Sequence, residues 1–305
     1  MNKAIIGMDK SGSFRVYLAI TTSMVEQARQ IHDTTPLATA ALGRVLTAAG
    51  LMGLMMKNPK DKLTMQFKGD GPAKEVLATA NGNGRVKGYI SNPYVDLPLK
   101  SNGKLDVGNA IGIGHVTVIK DLGLKEPYVG RIELVNGEIA EDLTAYFFVS
   151  EQQSSSVALG VRVDTDLTVA GAGGMIIQML PGADMASVDA LEPLLDRMTP
   201  ISTLVEEVTR EGAGKTEEAI VEDLLNRIFA EMPEQFAVKA METRDIGWEC
   251  DCSTERLEKA LMSIGVTDMK TILEEDGEAE LTCQFCRTKY HFDKEHLERL
   301  LDEMM

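Results

Sequence analysis

The chain has 305 residues, 44% of them hydrophobic, with 31 Lys and Arg against 47 Asp and Glu for a formal net charge of −16. The apolar fraction excludes a wholly disordered chain, and the length accommodates one large domain with a smaller module. No local basic patch offsets the negative charge, which therefore disfavours nucleic acid and anionic membrane as partners.

Residues 1–180 carry 18 Lys/Arg and 17 Asp/Glu, whereas residues 181–305 carry 13 and 30, so the chain falls into two chemical regimes. Met1 to Ile20 contains Lys3, Asp9, Lys10 and Arg15, too many charges for the apolar core of a signal peptide. Ala4–Gly7 and Phe14–Ile20 flank a polar turn and predict an opening hairpin. Met24, Val25, Ala28 and Ile31 recur at helical spacing. Thr35 as N-cap and Pro36 at the first position then start a second helix, expected to run to Lys57. Its Ala41, Gly43, Ala48, Ala49, Gly50 and Gly53 leave room for close neighbours. Arg44 at its middle argues for a buried helix of a soluble protein over a membrane span.

From Leu63 to Val149 short strands are expected between turn signals such as Gly69-Asp70-Gly71, Asn81-Gly82-Asn83-Gly84 and Asn136-Gly137. Ser150-Glu-Gln152, after the apolar Tyr146 to Val149, reads as a strand end. Val157–Val163 and Gly174–Leu180 close this region. The pattern is α+β, with glycine-rich hairpins and buried helices, and not a βαβ winding. After Gly182 come acidic helices over Ser187–Met198, Ile201–Arg210 and Glu217–Glu231, the last with Thr216 as N-cap. Glu218 and Glu222 repel at i,i+4, and Glu211 to Gly214 breaks the segment, so its order must come from tertiary docking.

Two glycine-rich runs fail as nucleotide loops on spacing. The run ending Gly214-Lys215-Thr216 has Thr209 where a phosphate loop needs glycine, and Gly112-Ile-Gly114-His-Val-Thr117 has Thr at the third glycine position. These, and Gly171-Ala-Gly-Gly174, are read as tight turns. The only histidines are His32, His115, His291 and His296, which gives little support to a Cys-His nucleophile, and most of the 17 Met are read as core filler.

The strong signal lies at the end. Cys250-Asp-Cys252 and Cys283-Gln-Phe-Cys286 supply four thiolates in two close pairs, a complete shell for a structural zinc ion with no position left for substrate. Such clustering late in a long chain is unlike a secretory disulfide framework. Ser253 is expected to cap a helix ended by Gly265, Thr267 to cap a second, and Asp293 a third. Leu281–Cys286 and Thr288–Phe292 are expected to form a hairpin around a zinc knuckle. A module of about 60 residues rarely folds on its apolar core alone, so metal binding would decide its folding. The domain division is therefore 1–182 for an α+β core, 183–240 for an acidic helical linker and 241–305 for a small zinc-binding α/β module.

Sulfurs bound to one zinc sit roughly 3.8 Å apart, against about 2.05 Å in a disulfide, so zinc binding and oxidation exclude each other. Zinc ties the 250s to the 280s, whereas bridges closed within each pair would tie nothing distant. Three pairings of four cysteines are possible, and the spacing does not select among them.

The chain resembles the redox-regulated 33 kDa heat-shock chaperones (33 kDa chaperonin). The likeness is carried by Pro36-Leu-Ala-Thr-Ala-Ala-Leu-Gly-Arg44, Tyr146-Phe-Phe-Val-Ser-Glu-Gln152, Ala172-Gly-Gly174 to Gln178-Met-Leu-Pro-Gly182 and the four cysteines. The resemblance implies a cytoplasmic, ATP-independent holdase with no catalytic residues, inactive while reduced and holding Zn2+ on Cys250, Cys252, Cys283 and Cys286. It further implies that oxidant and heat form disulfides Cys250/Cys252 and Cys283/Cys286, release zinc and loosen the linker. The active protein would then dimerise and hold unfolding clients for ATP-dependent foldases. A constitutive zinc-ribbon adaptor is the alternative reading, and a thiol oxidoreductase a third, the latter weakened by the lack of βαβ context around Cys283.

Overall fold

The computed structural model describes residues 1–305 as two compact units, Met1–Trp248 and Glu249–Met305. The first unit opens with β1 (Lys3–Asp9), β2 (Phe14–Ile20), α1 (Thr22–His32) and α2 (Pro36–Leu54). There follow β3 (Lys62–Gly69), β4 (Glu75–Asn81), β5 (Arg85–Ile90), α3 (Val107–Ile111), β6 (Gly114–Asp121), β7 (Tyr128–Glu133) and α4 (Ala140–Ser150). Then come β8 (Ser155–Val163), β9 (Val169–Met179), α5 (Met185–Asp196), α6 (Ile201–Glu211), α7 (Glu217–Ile228), β10 (Val238–Asp245) and β11 (Gly247–Trp248).

These strands make two sheets, one ordered β10-β1-β2-β9-β8 and the other β11-β5-β4-β3-β6-β7. All ladders are antiparallel except β11 on β5. The fold is thus mixed α+β. Helix α2 packs against strands of both sheets and is almost wholly buried. Thr35 caps it as the sequence indicates, accepting a hydrogen bond from the Ala38 N–H, but it stops at Leu54, short of Lys57. Its glycines admit close neighbours: a Cβ on Gly53 would lie 2.7 Å from the Asn81 carbonyl oxygen, and one on Gly43 2.6 Å from Val25 Cγ1.

At β2 the first sheet is buried on both faces. Phe14, Val16, Leu18 and Ile20 of β2 join one apolar cluster with α5, α6 and α7, while Tyr17 and Ala19 join the α2 cluster on the other side. That is why β2 reads as a near-continuous apolar run and not as an alternation. The acidic segment after Gly182 therefore folds within the first unit, with α6 over β8 and β9 and α7 over β1, β2 and β10. Thr216 caps α7 by accepting from the Ala219 N–H.

Three local expectations are corrected. Gly171, Gly173 and Gly174 lie inside strand β9 and not in a turn. Their role is close approach, since a Cβ on Gly171 would sit 2.5 Å from the Ser202 carbonyl oxygen of α6, and one on Gly160 in β8 2.8 Å from the Ser202 nitrogen. Tyr146 to Ser150 end helix α4, not a strand. A four-residue apolar run does not separate the two, and here Asp142 decides: its carboxylate accepts N–H bonds from Val135 at 2.7 Å and Ile139 at 2.9 Å, which organises the turn that starts the helix. In the second unit Thr267 lies inside a helix that begins at Val266, because Gly265, at φ 96°, turns the chain one residue earlier.

That second unit comprises α8 (Thr254–Met262), α9 (Val266–Glu275), β12 (Ala279–Thr282), β13 (Lys289–Phe292) and α10 (Lys294–Met304). Its core is small: Leu261, Met269, Phe292, Leu297, Leu300 and Leu301 are its buried apolar cluster.

Candidate metal centre

Two short irregular segments carry the cysteines. Cys250 and Cys252 precede α8, whose N-cap Ser253 accepts from the Arg256 N–H. The Arg256 guanidinium donates to the Asp251 carbonyl oxygen at 3.0 Å and to its carboxylate, so the residue between the cysteines is held by α8 and the two thiols share the other side. Cys283 and Cys286 sit at the tip of the β12–β13 hairpin. The Cys283 N–H donates to the Thr288 carbonyl at 2.9 Å, and the Arg287 N–H donates to the Cys283 carbonyl at 2.9 Å, with Arg287 in the left-handed region at φ 61°. This is the knuckle anticipated from the sequence. Asp293, as expected, caps α10 by accepting from the His296 N–H.

The structure brings all four predicted cysteines together. Their sulfurs lie within 4.8 Å of one another, with Cys250 to Cys283 at 3.8 Å and Cys252 to Cys286 at 3.3 Å. All four are free thiols. Tetrahedral thiolates at a metal–sulfur bond of about 2.3 Å place sulfurs roughly 3.8 Å apart, so the donor set could hold one metal ion with every position filled by protein. Electrostatics agree with that use. Burial pushes the Cys250 and Cys252 thiols up; burial acts on Cys286 in the same sense, but hydrogen bonds with Thr288 outweigh it and lower that thiol to about 6. Four crowded sulfurs do not ionise together without a cation, and a bound divalent metal would displace their protons.

The histidines stand apart from this cluster. His291 faces Glu278 at 3.5 Å, His296 faces Glu258 at 2.6 Å, His32 contacts the Gly88 carbonyl at 3.0 Å and His115 lies beside Arg131. Gly212 follows the end of α6, and Gly214, at φ 91°, lies in the turn before α7. Sequence reasoning missed two side chains at the centre. Tyr290 Oη donates to Cys252 Sγ at 3.1 Å, and Thr288 Oγ1 lies 3.2 Å from Cys286 Sγ. The available signal was their i,i+2 spacing soon after the last cysteine, Thr288 just before β13 and Tyr290 within it, which sets both on one side if the chain is extended there.

The region outside this unit holds one helix of membrane-spanning length and hydropathy, Pro36–Leu54, and 94% of its apolar window is buried inside the protein.

Comparison with known proteins places these features in a lineage. The profile of the family described as Hsp33 protein matches residues 2–293. A 33 kDa chaperonin from Alkaliphilus oremlandii is 46% identical over 305 residues, covering 100% of this chain and 97% of its own. The 33 kDa chaperonin of Clostridium perfringens strain ATCC 13124 is 48% identical, covering 99% and 91%. The crystal structure of the 33 kDa chaperonin, a heat shock protein 33 homologue, from Thermotoga maritima superposes with a TM-score of 0.86 at 36% identity, covering 99% of this chain and 98% of that one.

Proposed function

This chain belongs to the Hsp33 family, and on that premise we propose that it is a redox-regulated, ATP-independent holdase that captures unfolding proteins under oxidative and heat stress. The observation that carries the reading is the convergence of Cys250, Cys252, Cys283 and Cys286 on one point from two ends of a small unit. We assign them Zn2+ as the reduced-state ligand, since four thiolates suit that ion and its role there is to cross-link the unit, not to activate water. Oxidation to Cys250/Cys252 and Cys283/Cys286 disulfides removes all four donors and replaces a long-range tie with two local ones.

The division into a core 1–182, a linker 183–240 and a redox module 241–305 is part of this proposal. Its physical support is the apolar face that the linker helices cover on the first sheet, including Phe14, Val16, Leu18, Ile20, Met175 and Ile177. Loosening of those helices would offer that face to clients. We further propose a cytoplasmic, non-enzymatic protein that dimerises when oxidised and passes clients to ATP-dependent foldases, with neither nucleic acid nor membrane as partner.

The test follows zinc content, free thiols and suppression of aggregation of a heat-denatured client before and after peroxide. The proposal expects a zinc-loaded, inactive reduced form and a zinc-free, active oxidised form. Equal holding activity in both states would defeat it in favour of a constitutive zinc-ribbon adaptor, and turnover of small disulfides would instead indicate an oxidoreductase.

A further inference from the structure

We propose that Tyr290 and Thr288 are positioning residues of the thiol centre, each donating a hydroxyl hydrogen bond to one sulfur of a different cysteine pair and so restraining its reaction with oxidant. The inference rests on the metal-thiolate reading above and deepens it.

The arrangement follows from the hairpin. Tyr290 lies opposite Leu281 in the β12–β13 ladder, and Thr288, two residues earlier, meets Cys283 through the backbone bond that closes the knuckle. Thr288 leads directly into β13 and Tyr290 is its second residue, so the two side chains, two apart in extended chain, are both delivered to the side where the sulfurs gather. Tyr290 Oη reaches Cys252 Sγ, 38 residues away in sequence, at 3.1 Å. Thr288 Oγ1 lies 3.2 Å from Cys286 Sγ, and once that sulfur is a thiolate, which has no proton, the hydroxyl is the donor. The two restrained sulfurs lie 3.3 Å from each other. The end of the knuckle and the start of β13 thus hold one member of each cysteine pair.

The chemistry at stake is attack on hydrogen peroxide. A thiolate lone pair forms a bond to the near oxygen, the O–O bond breaks, hydroxide leaves and the sulfur becomes a sulfenic acid. A second thiolate then displaces hydroxide from that sulfur to form the disulfide. A hydroxyl proton pointed at the sulfur engages the same electron density and must be given up before the attack. The same bond orients the ligand and strengthens its hold on the metal, as outer-shell donors generally do.

The experiment uses full-length reduced protein loaded with zinc, as wild type, Y290F, T288V and T288S. Three quantities are read: metal transfer to a chromophoric chelator without oxidant, the rate of alkylation of each cysteine by iodoacetamide resolved by mass spectrometry, and the sulfur-to-metal charge-transfer bands of the cobalt(II) form. Y290F is expected to release metal roughly tenfold faster, the low end for losing an outer-shell partner. Its added alkylation should fall on Cys252 and its charge-transfer bands should shift. T288V should do the same at Cys286, and T288S, which keeps the hydroxyl, should behave as wild type. Wild-type release rates in Y290F and T288V, equal acceleration at all four cysteines, or T288S matching T288V would each overturn the proposal. A wild-type protein that took up no zinc or cobalt would instead strike at the metal reading itself, and the two failures are thereby told apart.

Discussion

The ammonium of Lys3 lies 2.7 Å from the carboxylate of Asp245, joining the first strand of the chain to a strand 242 residues further along. The same ammonium lies 2.6 Å from Glu218 at the start of α7, so one side chain, 14% exposed, pins both β10 and α7 to β1. Hydrogen bonds that Lys3 donates to Asp245 and Glu218 raise it to about 12, and Lys3 in turn lowers both carboxylates. The raised Lys3 contributes stability that is complete below its unfolded value near 10.5 and is lost as pH rises through about 12. The lowered carboxylates contribute stability that is lost as pH falls through their folded values, below the ordinary carboxylate range. Lys3→Met should therefore accelerate amide exchange in β10 and the first turn of α7 roughly fivefold at neutral pH, the scale of a partly exposed ion pair. The difference from wild type should shrink at both pH extremes.

Metal removal should act on one unit only. Six buried apolar side chains are a small core for residues 249–305, whereas zinc contributes on the order of 10–16 kcal/mol to finger-sized units. A chelator under reducing conditions is expected to abolish protection from amide exchange in α8, α9 and α10 while leaving the two large sheets protected. Retained protection in those helices would contradict the cross-linking role.

Cys283 is the most buried of the four cysteines, at 7% exposure. Cys283→Ser should drop zinc content well below one per chain and confer client holding without oxidant, measured by metal analysis and light scattering of a heated client. A zinc-free Cys283→Ser protein that held nothing would separate metal loss from activation.

Gly171→Ala tests the docking of α6. The added methyl would meet the Ser202 carbonyl at 2.5 Å, a backbone atom that moves only if the helix lifts from β9. Overpacking of this kind costs about 1–3 kcal/mol, and urea unfolding should register it. If the covered face binds clients, the variant should also show partial holding activity while reduced.

Asp142→Ala tests the turn that makes α4 a helix. Its fully buried carboxylate serves the N–H groups of Val135, Asn136, Gly137 and Ile139. Each orphaned donor costs about 1–3 kcal/mol, so a loss of about 3 kcal/mol or more is expected in urea unfolding, with α4 losing exchange protection first.

What could be read in advance was local chemistry. Thr35, Thr216, Ser253 and Asp293 cap helices because a short oxygen-bearing side chain just before a helical run can accept from its first free N–H groups, although Thr267 shows that a neighbouring glycine can override the same signal. The cysteines announced themselves because paired thiols have few other uses. What escaped was set by distant partners. The glycines of β9 are there for a helix that follows them in sequence, and α4 owes its start to a carboxylate that gathers a preceding loop. Strands β10 and β11 carry no hairpin signal, since their partners β1 and β5 lie far back along the chain. Tyr290 looks like any aromatic strand residue until Cys252 is folded against it.

The run from Val238 to Trp248 adds β10 to one sheet and, almost at once, β11 to the other. It works as a single thread through two seams. Pulling it would bare the hydrogen-bonding groups of β1 and β5 together, two new edges able to template stray strands. The exposed Lys239 and Glu242 along β10 guard that border while the thread is in place, and they leave with it. Any event that frees this run therefore opens both sheets to outside strands in a single step.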